Sequence, residues 1–337
     1  MSKWLAIGIG TKNSKGKWLE VYYPKELINP SKQIANKLKE LVEYKEGNLS
    51  SPIPEGVLTE LLKINKEFSH IDTEKVEGRS SGVVSIIDSE DPPHDVPSSY
   101  LRLHLLSHRL VKPNQINLEG IFSILPTVAW TSHGPFDPAD LGDRVLSSRL
   151  LKLPTLHVHS VDKFPCMTDY VIPEGVRIAD SHRVRLGAYL GEGTTVMHEG
   201  FVNFNSGTLG KSMIEGRISQ GVVVGEGSDL GGGSSTMGTL SGGNETLISL
   251  GQDCLLGANS GLGIPLGDRC IIEAGLYITA GTKVELIQSK DEVKEVKASE
   301  LSFKDDLLFI RNSLTGKVQC KPNPKKVSLN DDLHSNN

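Results

Sequence analysis

The chain has 337 residues, with 36 Lys and Arg against 41 Asp and Glu, a formal charge of −5; that balance excludes the basic face of a nucleic-acid-binding protein. Its length suits two or three domains, and no run of about 18 apolar residues exists to span a membrane. Cys166, Cys254, Cys270 and Cys320 stand without CxxC or metal-ligand spacing, which fits reduced thiols in a cytoplasm rather than a disulfide framework.

Residues 1–165 read as an N-terminal α/β domain. Trp4–Gly10 and Trp18–Tyr23 have strand composition and are joined by the turn-rich stretch Lys12–Lys17. The opening apolar stretch is too short and too glycine-rich for a signal peptide. After Asn29-Pro30, a serine caps an expected helix over Ser31–Glu46, with Ile34, Leu38, Leu41 and Val42 on one face. Leu58–Phe68 reads as a second helix, Gly82–Asp88 as a strand, and Ser98–Val111 as a helix halted by Lys112-Pro113. Asp137-Pro138 opens a helix over 138–151, with proline in the first turn, where its missing N–H has no partner to lose.

Residues 166–284 count in sixes. Apolar residues recur at Ile172, Ile178, Val184, Leu190, Val196 and Val202, again at Val224 and Leu230, then at Leu250, Leu256 and Leu262. A shifted register follows at Leu266, Ile272, Ile278 and Val284. Of the 35 glycines, 24 fall in 171–281, many directly after the apolar residue, as in Leu190-Gly191 and Leu256-Gly257. A six-residue period matches neither a helix nor an alternating strand; it is the mark of a β-solenoid, a parallel β-helix of hexapeptide repeats with glycine at the corners. A flexible linker would lack the apolar period, having no interior to fill. Cys254 and Cys270 read as small buried residues of this coil. Beyond it, 285–325 forms a short C-terminal segment that begins with a charged hairpin over Glu285–Leu301, and 326–337 is expected to be a disordered tail.

Chemistry belongs where a repeat is interrupted, because regular coils build only a wall. Two interruptions stand out, Phe201–Ser219 and Leu230–Glu245. In the first, Glu215 sits among Met213, Ile214, Gly216 and Ile218, surroundings that suit a proton acceptor or nucleophile. Arg217, two residues on, would share its face of a strand and could hold an anion. An exposed Glu/Arg pair on an outer wall is the alternative reading of the same spacing. In the second, Gly231–Gly233 followed by Ser234-Ser235 could form a nest of backbone N–H groups, or an ordinary corner.

A linked set of motifs carries a resemblance: Met197-His-Glu-Gly-Phe-Val-Asn-Phe-Asn205, Met213-Ile-Glu-Gly-Arg-Ile-Ser219, Gly231–Gly243, Leu255–Gly263 and Glu273–Lys283. Together they resemble the tetrahydrodipicolinate N-succinyltransferase family over about Ile172–Gly316; the first 150 residues fit that family's variable domain but show no sharp motif. The resemblance implies a cytoplasmic homotrimer of left-handed β-helices. It would move succinyl from succinyl-CoA, its co-substrate, to the amine of L-2-amino-6-oxopimelate, in lysine and diaminopimelate biosynthesis. It places the catalytic role on Glu215 and succinyl-CoA contacts on Arg217, Gly232, Ser235, Ala258, Glu273, Ala274 and Gly281. Lys297 and Ile310-Arg311-Asn312-Ser313 match beyond an apparent insertion. It also implies a cation, Mg2+, at the trimer axis. Glu199 matches one member of the family's acidic pair, but His182 stands where the other would be, with Asp180 or His198 as substitutes. Arg183 and Arg185 are further cationic candidates for a dicarboxylate substrate. Three other readings stay open: an acyltransferase with another donor or acceptor, a γ-type carbonic anhydrase (short of histidines for zinc, with only His182 and His198 in the repeat), and a non-catalytic scaffold.

Overall fold

The computed structural model describes residues 4–54, 56–58, 60, 80–240, 245–289 and 292–323. It divides into two compact units: Met1–His104 with Ile116–Pro165, and Leu105–Gln115 with Cys166–Asn337.

In the first unit an antiparallel four-stranded sheet takes the order Trp18–Tyr22, Trp4–Lys12, Ser80–Ile87, Leu49–Ile53. Leu49–Ile53 escaped the sequence reading because it is short and polar; its Pro52, which lacks a ladder donor, is tolerated at the sheet edge. Helix Lys32–Leu41 begins at Ser31, whose side chain accepts from the Ile34 N–H, and buries Ile34 and Leu38 against Leu5, Ile7, Val84 and Ile86. The helix expected at 58–68 falls almost wholly outside the described residues. A three-stranded antiparallel sheet, Gly134–Phe136, Val128–Thr131, Val158–Asp162, completes the unit with helix Leu141–Leu150. Asp137 starts that helical run by accepting from the Ala139 N–H at 3.0 Å, with Pro138 in the first turn as expected.

The second unit is the coil. Three stacks of parallel strands form its three faces, and one inward residue per strand fills the interior. On the first sheet Ile178, Val196, Ile214, Leu230, Leu256 and Ile272 lie in register from turn to turn. On the second the stack is Val184, Val202, Ile218, Thr236, Leu262, Ile278, and on the third Leu190, Thr208, Val224, Leu250, Leu266. Each fully buried Leu, Ile or Val contributes about 1.5–3 kcal/mol, so the period itself is the core.

Three departures from the count have separate causes. Ile172, expected to open the series, is 81% exposed and lies outside the coil strands. The apolar count lapses at Thr208 and Thr236 because threonine fills the inward position, its hydroxyl satisfied internally: Thr208 pairs with the Thr194 hydroxyl at 2.7 Å, and Thr236 donates to the Arg217 carbonyl at 3.1 Å. The second interruption does not break the rung Leu230–Thr236. The extra residues enter after Thr236, on the way to Leu250, where Thr239 and Leu247 form an antiparallel bridge.

At the corner between the third and first sheets, small polar residues form a ladder. Thr194, Ser228, Cys254 and Cys270 donate to the carbonyls of Gly210, Gly251, Gly267 and Lys304 respectively, each one turn further on. Cys254 and Cys270 are thus buried structural thiols. Leu105–Gln115 runs along the coil, where Arg109 Nη2 donates to the Glu174 carbonyl at 2.8 Å, and Asn114 and Asn205 bond reciprocally at 2.8 and 3.0 Å. Beyond Val284 the expected hairpin forms from Lys283–Ser289 and Glu292–Lys297. Strand Leu307–Arg311 then adds one more rung to the first sheet, seating Phe309 on Ile272 and closing the core. The tail 326–337 lies outside the described residues, and no described helix is long and apolar enough to cross a membrane.

Candidate active site

Glu215 occupies a corner made short. From the first sheet to the second, Val196 to Val202 and Leu230 to Thr236 take six steps, but Ile214 to Ile218 takes four. A corner with two fewer residues must draw in toward the coil axis, so Glu215 sits in a recess between the turns on either side, half-buried. The turns close on it with glycine. A Cβ on Gly200 would stand 2.2 Å from the Ile214 carbonyl oxygen, and one on Gly216 would stand 2.1 Å from Ser234 Oγ. On Gly232 a Cβ would meet only Glu215 Oε2, at 3.4 Å. The carboxylate therefore faces the bare backbone of Gly232.

The main chain of Glu215 is held on the side of the next turn, its N–H donating to the Leu230 carbonyl at 2.9 Å and its carbonyl accepting from Gly233 at 3.3 Å. Among the described residues no cation or donor engages its carboxylate. Arg217 does not share its face, as the spacing had suggested: Gly216 turns the chain between them, and Arg217 opens the second sheet. Its Nη2 donates to Ser235 Oγ at 2.7 Å. The expected N–H nest at Gly231–Ser235 is mostly consumed by the coil ladder. Gly231, Gly233, Ser234 and Ser235 donate to the carbonyls of Leu256, Glu215, Gly231 and Ser260. Only the Gly232 N–H is left without a partner among the described residues, and it lies beside Glu215.

The remaining site residues fall on two edges of the prism. Ala258, Glu273 and Ala274 continue the corner of Glu215 and Gly232 on successive turns: a Cβ on Gly231 would meet the Ala258 nitrogen at 2.9 Å, and one on Gly257 the Ala274 nitrogen at 2.4 Å. Glu273 Oε2 accepts from the Arg311 N–H at 2.7 Å, so Ile310–Ser313 joins the same edge from below. Asn312 Oδ1 caps the turn there by accepting from Leu314 and Thr315, both at 3.0 Å. Gly281 and Lys297 lie on the next edge, past strand Tyr277–Thr279, where the Ala298 N–H donates to the Thr282 carbonyl at 2.9 Å. Arg183 is occupied with backbone, donating to the Gly200 and Glu199 carbonyls at 3.0 and 2.8 Å. Arg185 lies 5.9 Å over the Phe201 ring and bonds Asn203. A cleft of about 520 Å3 at the corner between the second and third sheets, lined by Asn114, Asn203, Asn205, Ser219, Gly238 and Leu247, has no signature in the sequence.

For the cation, Glu199 presents an exposed carboxylate, while His182 Nδ1 is 3.2 Å from Asp180 Oδ1. The His182 backbone N–H, aided by the ring, holds the Asp180 carboxyl below its usual range. Among the described residues no three His, Cys, Asp or Glu side chains of one chain converge. Magnesium takes oxygen donors in a near-ideal octahedron, and an imidazole in place of the second carboxylate does not fit it.

Residues 247–280 match the family model for the hexapeptide repeat of succinyl-transferase. With the three parallel stacks, this makes the fold a left-handed parallel β-helix of the hexapeptide-repeat acyltransferase class. Residues 125–165, where the sequence reading found no motif, match the model for the tetrahydrodipicolinate N-succinyltransferase middle segment. Relatives named 2,3,4,5-tetrahydropyridine-2,6-dicarboxylate N-succinyltransferase from Pseudomonas paraeruginosa and Vibrio cholerae are 54% and 49% identical, each alignment covering 99% of this chain and 98% of the relative. A solved structure from Campylobacter jejuni, described as a 2,3,4,5-tetrahydropyridine-2-carboxylate N-succinyltransferase, superposes with a TM-score of 0.83 at 32% identity over 96% of this chain and 93% of that one. The chain belongs to the tetrahydrodipicolinate N-succinyltransferase family.

Proposed function

We propose that this protein transfers succinyl from succinyl-CoA to the amine of L-2-amino-6-oxopimelate, in lysine and diaminopimelate biosynthesis, as a cytoplasmic homotrimer. Identity of 54% and 49% over nearly the full length to relatives of that name supports the assignment. The observation that carries the chemistry is Glu215, a half-buried carboxylate that, among the described residues, has no partner and lies beside an N–H that has none either.

A thioester is already activated, so the protein has little covalent work to do. The amine must attack as the neutral base, forming the C–N bond as the C–S bond breaks and CoA leaves as its thiol. Glu215 takes the proton the amine gives up and hands it on to the departing CoA sulfur, so the carboxylate is regenerated. Alternatively, Glu215 attacks first and carries succinate as an anhydride, which the amine then opens. In either order negative charge develops on the thioester oxygen, and the Gly232 N–H beside Glu215 supports the reading that this group receives it. Arg217 and Ser235 on the second sheet, and Ala258, Glu273, Ala274, Gly281, Lys297 and Ile310–Ser313 along the two edges, hold the donor. The test is CoA release with succinyl-CoA and acetyl-CoA against a panel of amino-acid acceptors. Turnover restricted to succinyl-CoA and the oxopimelate is expected; equal turnover with unrelated acceptors would overturn the assignment. Mass spectrometry after mixing with succinyl-CoA alone separates the two routes, since only the anhydride leaves succinyl on Glu215.

A further inference from the structure

The outer face of the second sheet carries Phe201, Arg217, Ser235, Gly261 and Tyr277 in register from turn to turn. Ser235 and Gly261 are buried although they face outward. From one side Arg217 donates to Ser235 Oγ at 2.7 Å. From the other the Tyr277 ring lies over Gly261, where a Cβ would meet three ring atoms at 2.1, 2.2 and 2.3 Å. The glycine is thus a seat for the ring. Tyr277 still leaves 43% of its surface open, and the coil has no need of it, because Leu276 and Ile278 on either side already fill the core at 1% and 0% exposure. A seated aromatic with an open face is a ready packing wall.

We propose that Tyr277 packs against the pantetheine arm of the acyl-CoA donor. This rests on the donor reading above. The proposed donor contacts lie on two edges, Ala258, Glu273 and Ala274 on one, Gly281 and Lys297 on the other, and the segment between them is strand Tyr277–Thr279. Within one chain the direct path between those edges runs over the outer face of that strand, the face that also carries Arg217 and Ser235 and where Tyr277 stands. Its strand lies three rungs from that of Arg217, about 14 Å at the usual strand spacing, farther than a succinyl group extends but within the span of the flexible arm. Tyr277 therefore serves donor binding rather than the reaction or the choice of acyl group.

The test is steady-state kinetics and calorimetric CoA binding with the full chain. Tyr277→Ala should raise the KM for succinyl-CoA and the Kd for CoA by about tenfold, leaving kcat and the succinyl-to-acetyl rate ratio unchanged. Tyr277→Phe, which keeps the ring, should behave as wild type. Gly261→Ala, which unseats the ring without removing it, should reproduce the alanine effect. Unchanged KM and Kd in a Tyr277→Ala protein of wild-type melting temperature overturns the proposal, as does a fall in kcat alone. A wild-type protein that binds no CoA would instead sink the donor reading itself.

Discussion

Gly232 and Glu215 form the tightest functional pair at the scale of single residues, because the space beside the carboxylate exists only while residue 232 lacks a side chain. Gly232→Ala should fold normally, since the added methyl meets nothing but Glu215 Oε2 at 3.4 Å, yet it crowds the oxygen that must reach the amine. A fall in kcat of about tenfold or more with an unchanged melting temperature is expected. Glu215→Gln keeps the shape and removes the basicity, so turnover should drop about 100-fold or more with donor affinity largely retained. Turnover near the wild-type rate would show Glu215 to be a bystander. Arg217→Ala, which loses a charged partner rather than the proton acceptor, should act mainly on ligand binding. The importance of Glu215 was legible in its motif; its solitude was not. Two residues of spacing put Arg217 beside it on paper, and a corner glycine separated them in space.

At the scale of elements, the coil tolerates substitution according to how closely its turns approach. A Cβ at Gly207 would lie 1.8 Å from the Tyr189 carbonyl oxygen, whereas one at Gly281 would meet nothing within 4 Å. Gly207→Ala should therefore lower the melting temperature sharply and Gly281→Ala hardly at all, by calorimetry. The closing strand is fastened by charge: Arg269 Nε and Nη2 donate to Asp306 at 2.6 and 2.9 Å. The Arg269 hydrogen bonds hold the Asp306 carboxyl below its usual range. A depressed folded pKa adds stability that is present above the unfolded value, about 4, and lost as pH falls through the lower folded one. The protection of the Phe309 amide, its exchange rate relative to an unfolded amide at the same pH, should fall on acidification across that window. In an Asp306→Asn variant that protection should be lower already and change little over the same window.

The whole molecule presents an active-site corner open to solvent in the single chain, which is why assembly matters to the proposed reaction. Sedimentation should give a trimer, and an active monomer would refute that part of the reading. Chelation by EDTA should leave turnover and melting temperature unchanged, because the donor set around Glu199 and His182 does not suit magnesium; loss of activity restored by added magnesium would reverse that conclusion.

The hexapeptide period determined the solenoid by itself, since one inward residue in every six leaves no other way to bury the apolar set. The same count could not show where the coil tightens, because threonine at 208 and 236 hides two rungs and a corner two residues short shifts the register without altering composition. Nor could it show that the ladder consumes the N–H groups of the glycine run and leaves one of them beside Glu215. Those outcomes depend on which turn lies above which, a relation between residues far apart in the chain that only the tertiary structure decides.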